Sequence, residues 1–394
     1  MPFSKKEGFY TLFSSHSKKR DFMRFTNFNF IPGLFIIIYH LLLITTIPLY
    51  LNMQLPSLGI ILATIIMAFV FGTSISAGYH RLYAHRTYTT NKTVESIILF
   101  LGTLATEGSA LQWSFDHRIH HRFVDSEKDP YSIKKGFFYA HILWIFRKQQ
   151  PIDPQVVPDL TTNRLVLFQH RWYPYLLFVS NLLVFSLFGF IFNDFFGSFV
   201  FCFLLRTFLV HHLTWFINSL AHSWGSQIYS KEHSAVDNYI ISLLTFGEGY
   251  HNYHHTFASD YRNGVKWYHF DTSKWLIWIL SKIHLTKNLI KINQYTIKHR
   301  LIQQDKILAI NKIKNSFYVN KELLQKKVYE ISERINSTLS SLKEMKKQFL
   351  VAKKQHAKKE YLTLLRVQFK EQKRILRKDW HTWCDIIHYV MTLT

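Results

Sequence analysis

The chain has 394 residues, carries a formal net charge of +23 and contains two cysteines, Cys202 and Cys384. Two cysteines are too few for a disulfide framework or a cysteine-ligated iron–sulfur cluster, so the sequence indicates neither class of protein. Residues 1–24 are polar and basic, without an apolar core that ends in a small-residue cleavage site, and we do not expect a secretory signal there.

Four apolar segments are long enough to cross a bilayer as helices, since each has about 20 residues and almost no charge. They lie at about residues 31–51, 58–79, 173–192 and 195–217 and pair into two helical hairpins. The loops inside these hairpins carry almost no basic residues, whereas the rest of the chain carries many. The positive-inside rule therefore predicts that both termini and the middle segment face the cytoplasm.

The segment from Val94 to Trp113 is also apolar, but it contains Glu107 and two glycines. A fifth span here would separate the histidine motifs described below onto opposite sides of the membrane. We therefore expect an interfacial or partly buried helix.

Residues 286–394 are predicted to form a basic helical extension of a membrane domain at residues 30–285, which itself follows a basic cytoplasmic segment at residues 1–29. No glycine follows Gly264, and the apolar residues from Leu324 to Phe349 have heptad-like spacing, so this tract is typical of long helix. From Lys287 to the end there are 24 basic and 9 acidic residues, a net charge of +15. Three interpretations of this extension stay open: it lies on anionic lipid, it pairs with a partner helix, or it is a solvated extension without a specific role.

Four segments contain histidines at the spacing of metal ligands. Two of them present histidines at i, i+3 and i+4, which project from one face of a helix. A third places two histidines five residues apart at the end of the second span, and the fourth places an asparagine and a histidine at i and i+4 after the last span. All four are predicted on one membrane face. Their nine histidines are too many for one metal ion and enough for two: His80, His85, His117, His120, His121, His222, His251, His254 and His255.

Imidazole donors limit which metals and reactions are expected. Imidazole suits zinc, copper, iron and nickel, whereas structural zinc normally uses cysteine. A metal cluster at a membrane face points to a reaction on lipid. Because an unactivated methylene has neither an acidic proton nor a leaving group, side chains alone cannot attack it, and an oxygen-activating metal such as iron is expected.

The motifs HRLYAH (80–85), HRIHH (117–121) and HNYHH (251–255) resemble the three histidine boxes of the membrane fatty-acid desaturases. The flanking stretches 107–132, 218–225 and 247–264 resemble the acyl-CoA, or stearoyl-CoA, desaturases, and the likeness covers about residues 30–285. It implies an all-α integral membrane protein with four spans in two hairpins. A cytoplasmic helical cap would hold the histidine-rich site.

The resemblance also implies the chemistry. Two irons would be held by the nine histidines, with Asn218 contributing through a bound water. O2 would be the co-substrate, and electrons would come from an external redox protein, cytochrome b5-like or ferredoxin-like, served by an NAD(P)H reductase. The product would be a long-chain acyl thioester with a cis double bond, most often at carbon nine.

Several substrate contacts follow from the same resemblance. Trp113 and Trp215 match residues that line the acyl tunnel, and Arg147 and Lys148 match a basic pair that meets the phosphates of CoA. Asp116 is expected to orient ligands or substrate. Glu107 and Glu248, together with Asp116, are expected to orient imidazoles through their distal N–H groups.

One departure concerns the carrier of the acyl chain. Phe115 stands where the animal enzymes have a basic residue. The choice between CoA, acyl carrier protein and an intact lipid therefore stays open.

Two other functions are compatible with the motifs. One is a hydroxylase of the same architecture. The other is a non-catalytic metal-binding membrane protein, which would need a polar path that the spans hardly offer beyond His211 and His212. Nucleic-acid binding is not expected. The absence of a fused cytochrome domain favours a bacterial inner membrane, with the endoplasmic reticulum as the alternative.

Overall fold

A computed structural model describes residues 28–317 and 319–393, so most of the predicted N-terminal segment lies outside the described residues. The described residues are mostly helical, and their only other regular structure is two short strands and isolated bridges. Its α-helices are α1 Phe30–Met53, α2 Leu58–Ser74, α3 Lys92–Leu104, α4 Ala110–Phe123, α5 Phe137–His141, α6 Arg164–Phe192, α7 Phe195–Gly197, α8 Arg206–Ser219, α9 Tyr239–Leu244, α10 His251–Thr256, α11 Thr272–Lys282, α12 Gln294–Asn315, α13 Lys321–Lys354 and α14 Lys359–Thr392. Strands β1 (Thr89–Thr90) and β2 (Thr286–Lys287) pair antiparallel.

Four continuous helical stretches are long and apolar enough to cross a membrane, which confirms the four predicted spans. They are Phe30–Met53, Leu58–Ala84, Arg164–Phe192 and Phe195–His222. Their outer faces expose large apolar side chains: Ile44, Leu183 and Phe190 are 68%, 63% and 74% exposed. Such faces require lipid as their solvent. The third stretch begins nine residues before the predicted start, because the Asn163 side chain accepts the N–H groups of Leu165 and Val166 and so caps the helix.

The segment after the second span is not among the membrane-length helices of the described residues, as expected, but it is two helices instead of one. A turn at Ala105–Ser109 separates α3 from α4. Thr106 and Gly108 have positive φ values of 62° and 92° in this turn. Glycine adopts this conformation at no steric cost. The Ser109 side chain then accepts the N–H of Gln112 and starts α4, the helix that carries the HRIHH motif.

One charged residue inside the fourth span is fully buried. The guanidinium of Arg206 donates to the carbonyl of Leu104 and to Oδ1 of Asn181, each at 2.5 Å, and to the carbonyl of Cys202 at 3.2 Å. Oxygen acceptors on three elements thus satisfy this group in an apolar setting. It ties α8 to α6 and to the end of α3.

The C-terminal extension is helical as predicted, but it folds into three helices and not one long one. Helices α12, α13 and α14 pack together around their own core, with Trp383 1% exposed and Leu342 fully buried. The first break is marked by Asn320, whose side chain accepts the N–H of Leu323. His356, with φ of 54°, lies in the second. The breaks let three apolar faces meet, which a single helix cannot do.

Hydrogen bonds from α12 and from the residues just before it fix the start of this bundle to the membrane domain. The N–H of Ile290 donates to the carbonyl of Thr87, and the N–H of Ile292 donates to Oδ2 of Asp260, both at 2.9 Å. In α12, Arg300 donates to the hydroxyl of Ser230 at 2.9 Å. The bundle therefore rests on the same side of the domain as the histidine motifs.

Candidate metal centre

A π-helix brings together His80 and His85, the two histidines of the HRLYAH motif. On an ideal α-helix, residues five apart point about 140° away from each other. The chain from Ile75 to Ala84 is instead a π-helix, and the His85 N–H donates to the His80 carbonyl at 3.0 Å. This i to i+5 hydrogen bond brings both side chains to one side, with ring centroids 4.8 Å apart. Such local π-turns inside helices are frequent at functional sites.

The nine histidines form two adjacent groups. The ligand atoms within each group lie within 4.8 Å of one another. The first group, called here the five-histidine cluster, comprises His80, His85, His117, His121 and His254. The second, the four-histidine cluster, comprises His120, His222, His251 and His255. Helices α4 and α10 each contribute histidines to both clusters, so the order of the histidines in the chain does not reveal which cluster each one joins.

The donor geometry fits metal ions. The Nε2 atom of His254 lies 3.0 Å from Nε2 of both His80 and His121. In the other cluster, Nε2 of His251 lies 3.1 Å from Nε2 of both His222 and His255. Donors about 2.1 Å from a common ion at right angles to each other are roughly 3 Å apart. The Nε2 atoms converge at this spacing, so each cluster can hold one ion.

Other side chains contact the Nδ1 atoms of three of these imidazoles, on the side of the ring away from the converging Nε2 atoms. Nδ1 of His80 lies 3.1 Å from a carboxylate oxygen of Glu248, one of the residues expected to orient imidazoles. Nδ1 of His120 lies 2.9 Å from Oδ1 of Asp129, and Nδ1 of His222 lies 2.7 Å from the Ser234 hydroxyl. A donor N–H held in this way leaves the opposite nitrogen free for a metal and raises its basicity.

Sequence reasoning missed two of these supports. Asp129 comes eight residues after His121 in a loop, and Ser234 belongs to a loop without regular structure, where Asp125 accepts its hydroxyl at 2.5 Å. The only available signal was an acidic residue close to a histidine motif. His233 was also missed: it is partly buried, and its ring centroid lies 5.1 Å from that of His255.

The electrostatics favour neutral imidazoles. Burial, reinforced by neighbouring imidazoles, lowers the pKa of His117, His121 and His254 well below the ordinary value, and the same holds for His251 and His255. For Glu248, burial acts to raise the pKa, but His80 and Arg81 outweigh it and lower the pKa well below its usual range. Neutral imidazole is the form that ligates a metal.

A largely apolar cavity of about 540 Å³ leads to the clusters. Its wall includes His80 and His117 of the five-histidine cluster and His251 of the four-histidine cluster. Aliphatic and aromatic residues such as Phe35 and Leu177 line it elsewhere. This size is typical of a ligand site, and an apolar chain can reach both clusters from it.

The predicted tunnel residues lie in this wall. Trp113 and Trp215 line the cavity, and Trp113 stacks on His117 with ring centroids 5.0 Å apart. Glu107 and Asp116 line it too, but their hydrogen bonds differ from those expected. Trp113 Nε1–H donates to Glu107 at 3.2 Å, and Gln112 donates to both oxygens of Asp116 at 3.1 Å.

Within the described residues, neither of these two carboxyl groups hydrogen-bonds to an imidazole. Burial raises the pKa of Glu107 to about 8 and that of Asp116 to about 7. Glu107 contacts Trp113, and the ring of Trp113 in turn stacks on His117.

The remaining predicted residues lie near the cavity. Asn218 is part of its wall, as is His251 of the four-histidine cluster. Arg147 and Lys148 are exposed on the surface and directly precede Gln149, another wall residue. The guanidinium of Arg147 lies 5.3 Å from the ring centre of Tyr139. Two cations thus sit where the wall meets the surface.

Comparison with known proteins agrees with this architecture. The family model described as "Fatty acid desaturase" matches residues 55–279. This chain belongs to the fatty acid desaturase family. With that membership, the four apolar helices make it a membrane protein.

The relatives of this chain include two yeast proteins and one protein of Nostoc sp. Acyl-CoA desaturase 1 of Saccharomyces cerevisiae is 36% identical over 295 residues, which are 74% of this chain and 56% of that protein. The probable acyl-CoA desaturase of Schizosaccharomyces pombe is 41% identical over 248 residues, 61% of this chain and 52% of that protein.

The sn-2 palmitoyl-lipid 9-desaturase of Nostoc sp. is 34% identical over 233 residues, 57% of this chain and 80% of that protein. The chain thus spans about half the length of the two yeast relatives.

Proposed function

We propose that this protein desaturates a long-chain saturated fatty acyl group to its cis-monounsaturated form in an oxygen-dependent reaction. The observation that carries the proposal is the apolar cavity whose wall contains ligands of both histidine clusters. The names of its relatives support the reaction, since each describes a desaturase of acyl-CoA or of a lipid.

The clusters are proposed to hold two irons, one in each. When bound, a di-iron pair supplies the oxidising power that removes two hydrogens from neighbouring methylenes with O2 as the final acceptor. The chain itself supplies the ligands: neutral imidazoles held by Glu248, Asp129 and Ser234. Asn218 is proposed to act through a water.

Regiochemistry is proposed to come from the shape of the cavity. Trp113 is fixed between Glu107 and His117, so its ring is a rigid part of the wall next to the five-histidine cluster. A rigid wall holds the same two methylenes beside the metal site in every turnover. We propose carbon nine, in line with the Nostoc relative's name.

The head group is proposed to stay at the surface, near Arg147 and Lys148. Two exposed cations there suit the phosphates of a CoA thioester. The names of the relatives include both CoA and lipid substrates, so a phospholipid-linked chain is the alternative. We further propose that electrons arrive from an external cytochrome b5-like or ferredoxin-like protein at the cytoplasmic face, and that both termini lie on this face. The bacterial inner membrane remains the expected location, with the endoplasmic reticulum as its alternative.

Fatty-acid profiling in a host that lacks its own desaturase tests the proposal. Expression should produce a new monounsaturated fatty acid, with the double bond at carbon nine, and His254→Ala should abolish it. A hydroxy acid in place of the alkene would identify a hydroxylase of the same architecture. An unchanged profile, with the protein present in the membrane and loaded with iron, would contradict the proposed reaction.

A further inference from the structure

The C-terminal bundle contains a second cavity that is far from the histidine clusters in the chain. Its volume is about 420 Å³. It is formed by the first residues of α12, the last third of α13 and the first half of α14. Its wall comprises Gln294, Tyr295, Lys346, Phe349, Leu350, Leu365, Arg366, Phe369 and Lys373.

The wall combines three cations with apolar rings and contains no carboxylate. The guanidinium of Arg366 lies 5.4 Å from the ring centre of Phe349, and the ammonium of Lys373 lies 4.7 Å from that of Phe369. Within the described residues, none of the three cations forms an ion pair. Elsewhere in the bundle cations are paired, as Arg334 is with Asp379 at 2.8 Å. The cavity thus presents uncompensated positive charge beside an apolar floor.

The surface around the cavity has the same mixed character. Between residues 343 and 374 there are eleven basic and three acidic residues, a net charge of +8. Leu350, Leu364 and Val367 are 56%, 53% and 59% exposed among these cations. Basic side chains interleaved with exposed aliphatic ones are typical of segments that lie in the interface of an anionic membrane.

This surface also lies at the end of the bundle that is nearest to the membrane domain. Helices α13 and α14 each have 34 residues, whereas α12 has 22, so the closed end of the α13–α14 hairpin extends past the start of α12. That start is the end of the bundle that is anchored to the membrane domain through Ile290 and Ile292. The hairpin end therefore lies on the membrane-domain side of the bundle.

We propose that the hairpin end, residues 343–374, docks on the bilayer and that the cavity between Lys346, Arg366 and Lys373 takes the phosphate head group of an anionic phospholipid. The three cations face the phosphate, and Phe349 and Leu350 meet the start of the acyl chains. Each basic residue near an anionic surface strengthens binding about fivefold, so the three together contribute about 100-fold.

Limited trypsin digestion of the full-length protein in nanodiscs tests this docking. The turn at residues 355–358 contains Lys358 and is flanked by Lys353, Lys354 and Lys359, and cleavage at these lysines reports on the hairpin end. Cleavage at Lys321, at the opposite end of α13, serves as the internal reference. In phosphatidylcholine nanodiscs that also contain phosphatidylserine, the ratio of the two rates should fall at least tenfold relative to phosphatidylcholine alone.

Two triple variants identify the cause. Lys346→Ala with Arg366→Ala and Lys373→Ala should abolish this protection. Lys314→Ala with Lys326→Ala and Lys327→Ala removes the same charge at the far end of the bundle and should keep it. Equal rate ratios in both nanodiscs, or equal protection in both variants, would overturn the proposal. Protection by inorganic phosphate in neutral nanodiscs at constant ionic strength would reassign the cavity to a soluble anion and would also overturn membrane docking.

Discussion

Replacing Asp129 by asparagine should weaken metal binding while the fold is kept. The Asp129 side chain is 1% exposed, and its Oδ1 accepts from Nδ1 of His120 at 2.9 Å and from the N–H of Tyr131 at 3.2 Å. Its Oδ2 accepts the N–H of Asp125 at 3.1 Å. Asparagine has the same shape but one oxygen and no charge, so one of these donors loses its acceptor and His120 loses its anionic partner.

The size of the effect follows from that contact. Groups that orient a ligating imidazole change metal affinity about 10- to 100-fold when they are replaced. This corresponds to about 1.4–2.7 kcal/mol of binding free energy. Iron retained per chain during titration with a chelator measures it: the midpoint for Asp129→Asn should shift by that factor.

A matched control separates this effect from general damage. Asp194 also accepts a backbone N–H, that of Gly197 at 2.7 Å, but it lies in the turn between α6 and α7, far along the spans from the histidines. Asp194→Asn should leave the chelator midpoint unchanged. If Asp129→Asn held iron as tightly as the wild type, the inferred support of His120 would be refuted.

Two further predictions concern the cavity wall and the C-terminal bundle. Glu107 has an ordinary pKa of 4.5 that burial raises to about 8, so its contribution to stability is full at low pH and declines as pH rises towards 8. Glu107→Gln should reduce the dependence of the free energy of unfolding on pH by about 1.4 kcal/mol per pH unit. Thermal unfolding in detergent at several pH values measures this dependence. If the substitution left it unchanged, the buried neutral carboxyl would be contradicted. Trp383→Ala empties the core of the bundle at a cost of about 3–5 kcal/mol. It should make the bundle sensitive to protease while iron content is retained; parallel loss of iron would mean that the two parts fold as one.

Composition and spacing alone predict much of this fold. The four spans follow from the length of their apolar runs, and six of the nine histidines stand out because i, i+3, i+4 spacing aims each triplet one way. The turn that separates α3 from α4 could have been anticipated from Gly108, since a positive φ there favours glycine. The break before α13 also had a local signal in Asn320, a strong N-cap residue.

The rest depends on tertiary contacts. No residue type in Ile75–Ala84 marks a π-helix, so the sequence does not show how His80 and His85, five residues apart, come to face the same side. The division of the histidines into five and four depends on how α4 and α10 cross, because each helix serves both clusters. Asp129 and Ser234 reach their imidazoles from loops, whose paths carry no periodic signal.

The most direct test of the account is the iron content of the purified protein. Two clusters of imidazoles predict two irons per chain in the wild type. His254→Ala removes a ligand from the five-histidine cluster and His120→Ala removes one from the four-histidine cluster, so each variant should fall towards one iron and lose desaturation. A wild-type protein that desaturates with a single iron, or either variant with full iron content and activity, would contradict the two-cluster centre.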